Sequence, residues 1–226
     1  MKIALTFHNM SDTTIDILIA TNNPGKAREI AAVLSEVSDG EQDIRWHTLA
    51  ELDQTIDEPV EDQATFAGNS QLKATYYSKH SSMITLADDS GLEVDALDGA
   101  PGVHSAYYAE LPGSPTRAER DAANNKKMIA ALQGVPAEQR SARFRCILTL
   151  ARGDDVLAQT SGAIEGRIID EPRGAGGFGY DPHFLVPELN KTTAELEPAH
   201  KNKISHRGNA LRILREELPR ILAKLV

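Results

Sequence analysis

The sequence predicts an α/β fold, a central mixed β-sheet flanked by helices and arranged as two lobes about a cleft. Two observations carry this. Near its start an apolar, β-branched run, Ile15 to Ala20, passes through a turn-rich loop into a segment with helical spacing, which is the first half of a βα unit. Much later, Arg143 to Ala151 alternates apolar and polar residues. A second extended stretch, Val156 to Ile169, follows across Gly153-Asp154-Asp155, and this pair is a hairpin pattern.

The other elements fall between and after these. Ala27, Ile30, Ala31 and Leu34 recur at helical spacing after the first loop, and Ile44 to Leu49 reads as a second strand. An acidic, irregular stretch, Glu51 to Asp62, leads to a helix from Thr65 to about Lys79, with Phe66, Leu72 and Tyr76 as its expected inward positions. Met83 to Ala87 reads as a short strand that ends at Asp88-Asp89-Ser90-Gly91. Gly99 to Val103 is a loop, and Thr116 to Leu132 is a helix closed by Gly134 and Pro136. A glycine-dense loop, Glu171 to Pro182, precedes a final helix that begins near Ser205. Its apolar stripe is Leu211, Leu214, Leu218, Leu222 and Leu225.

Composition limits the function classes. With 41% hydrophobic and 25% charged residues, a chain of 226 can build one large core. The net charge of -9, with no basic run, argues against a nucleic acid polymer as partner. It leaves phosphate ligands open, because a few lysines and a divalent cation reverse the field locally. The lone cysteine, Cys146, sits in an apolar run and reads as a buried structural thiol, which suits a reducing, cytoplasmic setting. No apolar stretch approaches the ~20 residues of a membrane span. Residues 1–14 are expected to form a leader, and 15–226 a single domain.

Five places carry candidate chemistry. Thr21-Asn22-Asn23-Pro24-Gly25-Lys26 opens a helix, where backbone amides and the helix dipole attract anions and Lys26 adds a full charge. It is not a Walker A loop, and a plain helix start is the simpler alternative. Asp88-Asp89 follows a strand, so the two carboxylates point to opposite sides. One faces the cleft as a Mg²⁺ ligand, or both are turn acids. Glu61-Asp62 precedes a helix, as a metal ligand or as a complement to the dipole. In Gly176 to Pro182 the glycines permit close approach to a flat ligand, Phe178 or Tyr180 offers a stacking face, and Asp181 offers an acceptor. Lys201 and His206-Arg207 place cations at a helix start, against the dipole preference, with Ser205 as an N-cap.

Four segments taken together resemble the Ham1/inosine triphosphatase family: Ile17 to Leu34 (ILIATNNPGKAREIAAVL), Ala87 to Gly102 (ADDSGLEVDALDGAPG), Gly176 to Pro182 (GGFGYDP) and Ser205 to Leu211 (SHRGNAL). They occur in family order and span nearly the whole chain. The resemblance implies an elongated two-lobed α/β fold, usually a homodimer. It implies Mg²⁺-dependent hydrolysis of ITP, dITP or XTP to the monophosphate and pyrophosphate. Carried over by position, Thr21, Asn22, Asn23, Pro24, Gly25 and Lys26 look like the triphosphate loop, with Lys73 near the phosphates. Glu61 and Asp89 look like the metal-linked acids, and Asp89 like the proton acceptor. Ser90, Phe178, Gly179, Tyr180, Asp181, Lys201, His206 and Arg207 look like substrate contacts. One departure is local: where the family commonly has Glu-Asn-Ala, this chain has Gly68-Asn69-Ser70. The SHRGNAL and GGFGYD segments speak against a Maf-like pyrophosphatase, and the intact acids and Lys26 against a non-catalytic nucleotide sensor.

Overall fold

A computed structural model describes residues 14–34 and 44–225. Apart from Thr14, the expected leader lies outside the described residues. The chain runs β1 (Ile15–Ile19), α1 (Pro24–Leu34), β2 (Ile44–Thr48), α2 (Phe66–Ser81), β3 (Ile84–Val94) and α3 (Arg117–Ala131). It continues with β4 (Ser141–Arg152), β5 (Asp155–Ile168), β6 (Phe184–Val186), β7 (Lys191–Thr192), α4 (Pro198–Ile204) and α5 (His206–Leu222). One seven-stranded sheet has the order β2-β1-β3-β4-β5-β6-β7. β1 pairs in parallel with β2 and β3, and every other neighbour is antiparallel, so the sheet is mixed as expected.

The two-residue period of the strands sorts the core. Ile17 and Ile19 of β1 face one side with Leu86, Cys146, Leu148 and Leu150, and there α1 (Ile30, Leu34) and α5 (Leu211, Leu214, Leu218, Leu222) cover them. Leu18 and Ala20 face the other side with Ala87 and Ala151, under Ala74 and Tyr77 of α2. A further cluster joins Leu92, Val94, Ala142 and Phe144 to Met128 of α3, to Leu132 just past its end and to Phe184. β4 and β5 form the expected hairpin, and Phe144, Cys146, Leu148 and Leu150 are all buried on it.

Three local expectations are corrected. β3 does not stop at Ala87. It runs to Val94, because β4 pairs with it continuously from Thr85 to Val94, so Asp88 and Asp89 lie within a strand. On α2 the buried residues are Phe66, Asn69, Ser70, Lys73, Ala74, Tyr77 and Ser78, while Leu72 and Tyr76 are only half-buried. That helix turns a polar stripe inward, which apolar spacing does not report. On α1, Ala31 is exposed and Val33 packs on the core instead.

The strand lengths make the site. The β1–β3 ladder ends at Ile19–Leu86, and the Ala20 amide gives a last bond to the Leu86 carbonyl (2.8 Å). β3 then continues alone on that side while the chain turns away into α1. The carboxyl end of a parallel strand at such a divergence is where open α/β sheets bind ligands.

Candidate active site

Asn23 caps α1. Its Oδ1 accepts from the amides of Gly25 (2.9 Å) and Lys26 (3.3 Å), and its own amide donates to Thr21 Oγ1 (3.2 Å). Pro24 sits at the first helical position, where its missing N–H costs nothing, and the first turn carries no acid. The result is a positive helix end with Lys26 beside it.

Asp88 and Asp89 diverge across β3 as the alternation requires. Asp88 is fully buried and held by Lys26 Nζ (3.0 Å) and by Arg207 through Nη2 (3.0 Å) and Nε (3.3 Å). Burial alone would raise its carboxyl, but Lys26, Arg207 and Lys73 hold it well below the usual carboxylate range. Asp89 points to the α2 side. There Lys73 Nζ reaches Asp89 Oδ1 (3.2 Å) and Glu61 Oε2 (2.8 Å). Burial raises the Asp89 carboxyl, and Glu61 and Asp88 push the same way against Lys73 and Lys26. Its second oxygen, Oδ2, is buried and has no hydrogen-bond partner. The Lys73 ammonium is disfavoured by burial, yet Asp89, Asp88 and Glu61 keep it charged.

Glu61 reaches this spot because α2 holds its segment. The Gln63 amide donates to Asn69 Oδ1 (3.0 Å), and a Cβ on Gly68 would stand 2.8 Å from Gln63 Cβ. The residue that replaces the family's usual acid therefore permits the close approach of 61–63 to the helix. Ser70 is used elsewhere, within 2.9 Å of Thr149 Oγ1.

The base-side candidates form a second knot. Arg207, 1% exposed, donates to Asp88, Ser90 Oγ (2.9 Å) and Glu29. Lys201 Nζ binds Asp181 Oδ2 (2.7 Å) and Glu29 Oε1 (3.1 Å). Asp181 also receives the Phe178 amide (2.8 Å) and the Thr193 hydroxyl (2.7 Å), so it shapes the loop from within. Tyr180 is buried, with its hydroxyl donating to Ser105 O (2.9 Å), whereas Phe178 is half-buried with its ring near Lys201 Nζ (4.9 Å from the centroid). Phe178 is thus the freer stacking face. His206 stacks on Phe144 at 5.1 Å. Burial, with Arg207 and Lys201 beside it, pushes its pKa well below the ordinary value, so it is neutral, and its buried Nδ1 has no partner.

These groups surround one cavity of about 450 Å³, within the range of small-molecule sites. Asn23, Lys26, Glu61, Lys73, Asp89, Ser90, Phe178 to Asp181, Lys201, His206 and Arg207 all line it. Thr21, Asn22, Pro24 and Gly25 stand behind that wall, and a Cβ on Gly25 would touch the Phe178 ring at 2.9 Å. Sequence reasoning missed Glu29, which lies three residues after Lys26 and so on the same helix face, a signal that was available. It also missed Arg117 and Asp121 of α3 and the 103–107 segment, for which no local motif exists.

The positive start of α1 with Lys26, a bare carboxylate oxygen on Asp89 and the Phe178 ring packed beside Gly25 come together at one cavity, a chemistry that suits the phosphates and base of a nucleotide. The sequence profile of the Ham1 family matches residues 17–217, and the chain belongs to that family. It is 44% identical over 204 residues to the dITP/XTP pyrophosphatase of Vibrio parahaemolyticus, covering 89% of this chain and 96% of that one. It is 47% identical over 208 residues to the dITP/XTP pyrophosphatase of Lactobacillus johnsonii, covering 90% and 94%. The solved structure of a HAM1 protein from Coxiella burnetii matches with a TM-score of 0.78 at 37% identity, over 91% of this chain and 99% of that one. Among the described residues no helix is long and apolar enough to cross a membrane.

Proposed function

We propose that this chain hydrolyses non-canonical purine nucleoside triphosphates (ITP, dITP and XTP) to the monophosphate and pyrophosphate, removing deaminated nucleotides from the pool. The observation that carries the reading is the division of labour in the Asp88-Asp89 pair. Each keeps one buried oxygen without a partner, but Asp88 is tied through its other oxygen to Lys26 and Arg207, whereas Asp89 lines the cavity.

A divalent cation fits the residues present. Asp89 Oδ2 lacks a partner, Glu61 lines the same cavity with a part-exposed carboxylate, and Mg²⁺ takes one or two carboxylates together with phosphate oxygens and water. Glu61 and Asp89 would hold it, and its contribution is Lewis-acid polarisation of the phosphates. Lys26, Lys73 and the positive end of the α1 dipole bind the triphosphate and stabilise the charge that develops on the pyrophosphate leaving group. Asp89, its carboxyl raised by burial, orients the attacking water and takes its proton.

On the base side, Phe178 supplies the stacking face. Lys201, Arg207 and neutral His206 supply the polar edge. A cationic donor suits the 6-oxo group of hypoxanthine and xanthine and leaves adenine's amino group unpaired, a mismatch worth several powers of ten at a buried site. The proposal includes one domain over 15–226 with its cavity between two lobes, and a homodimer acting in the cytoplasm.

The test is a product assay on ITP, dITP, XTP, ATP and GTP with Mg²⁺, with nucleotides separated by ion exchange and pyrophosphate measured directly. Monophosphate plus pyrophosphate from the first three, with ATP and GTP largely spared, supports the reading. Diphosphate plus phosphate places the attack on the γ-phosphorus and sinks it.

A further inference from the structure

Helix α3 takes no part in the site's recognised motifs, yet it grips the aromatic loop by both polar groups of a single residue. The Gly179 amide donates to Asp121 Oδ2 (2.9 Å), and the Gly179 carbonyl accepts from Asn125 Nδ2 (2.9 Å). Asp121 and Asn125 are one turn apart, so both reach the same spot from one helix face. One turn earlier Arg117 places its guanidinium 4.8 Å from the centre of the Phe178 ring. The stripe Arg117, Asp121 and Asn125 therefore ends on two adjacent residues, Phe178 and Gly179.

The grip is specific in its geometry. Gly179 has φ +61, and a Cβ there would meet nothing within 4 Å, so glycine is required by the backbone conformation and not by crowding. Asn125 is braced by a second bond from Nδ2 to Asp121 O (2.9 Å), while its Oδ1 is buried without a partner. On the same helix Asn124 holds a different wall of the cavity. It accepts from the Ala109 amide (2.7 Å) and donates to the carbonyls of Ser105 and Ala106 (3.2 Å each).

We propose that Asp121 and Asn125 are positioning residues that clamp Gly179 and so fix Phe178 as the stacking platform for the purine. The inference rests on the nucleotide-hydrolase reading above and deepens its base side. The clamp acts mainly on ligands that carry a base; the Phe178 ring also lies beside Gly25, so the phosphate end, where Lys26 and Lys73 lie, is affected to a smaller degree.

The experiment measures binding of inosine monophosphate and of pyrophosphate, separately, by calorimetry, together with kcat and KM for ITP. The proteins are wild type, Asn125→Ala, Asp121→Ala and Asp121→Asn. Loss of one such hydrogen bond corresponds to about a tenfold change in affinity. Asn125→Ala and Asp121→Ala should weaken inosine monophosphate by about tenfold and raise KM for ITP, with pyrophosphate binding and kcat changed far less. Asp121→Asn keeps an acceptor oxygen for the Gly179 amide and should restore most of the loss, which a merely structural role would not explain. Equal loss for both ligands, or no loss for either, overturns the clamp while wild-type turnover of ITP still stands. A wild type that neither binds inosine monophosphate nor turns over ITP removes the clamp together with the reading beneath it.

Discussion

Replacing each acid of the Asp88-Asp89 pair by asparagine separates a folding role from a chemical one. Asp88 is fully buried against Arg207, itself 1% exposed, and against Lys26. Breaking a buried pair by removing one partner costs about 3–5 kcal/mol. Here Glu29 retains a hold on Arg207, and Lys26 is partly exposed to solvent, so the lower end applies. In a chain of this size about 3 kcal/mol lowers the melting temperature by roughly 6–12 °C. Asp89→Asn removes a charge that burial, Glu61 and Asp88 all disfavour, and Lys73 keeps Glu61 at 2.8 Å. Its stability should stay within about 1 kcal/mol of wild type. Its turnover should fall by about 10²–10⁴, the range for a lost general base. Calorimetric melts and direct pyrophosphate release from ITP read both effects. The reasoning is refuted if Asp88→Asn melts with wild type or if Asp89→Asn keeps more than about a tenth of the activity.

Further outcomes are expected. His206 has a folded pKa well below 6.5, so the unfolded chain binds the proton first. Its stabilising contribution is complete above pH 6.5 and is lost as pH falls, by about 1.4 kcal/mol per unit. His206→Gln should flatten the dependence of melting temperature on pH between 7 and 5, and an unchanged slope would place the titration elsewhere. Arg207→Ala should reduce the ratio of kcat/KM for ITP over ATP in the protein that remains folded, and an unaltered ratio removes Arg207 from base selection. Thr116→Ala removes the N-cap and capping box of α3 and should cost about 1 kcal/mol by chemical denaturation. A loss below about 0.3 kcal/mol would show that α3 is held by its loops and not by its cap.

Much of the fold was legible because local signals agreed with the final structure. The opening strand–loop–helix, the β4–β5 hairpin, the capped α3 and the leucine stripe of α5 each follow from a period or a cap that tertiary contacts did not override. The four family segments converge on one cavity. What stayed hidden depends on partners distant in sequence. β3 continues through Asp88 and Asp89 because β4 supplies a ladder there, and no alternation in 88–94 announces it. The inward face of α2 holds Asn69, Ser70 and Lys73, so a search for apolar spacing selected Leu72 and Tyr76. The short helix α4 carries Lys201 with little apolar content, and no periodic signal marks it. Arg117 and Asp121 enter the cavity only because α3 packs beside a loop some sixty residues later in the chain.

β4 contributes to both large core clusters. Ala142 and Phe144 lie in one, and Cys146, Leu148 and Leu150 lie in the other. A strand hydrogen-bonded on both sides along its length cannot release one cluster without disturbing the register of the other. The amides of the strands that carry the two clusters should therefore exchange as one cooperative unit, with a single thermal transition as the expected outcome. On the proposed reading, a nucleotide bound beside β3 is then expected to protect amides along the whole of β4, including those remote from the cavity.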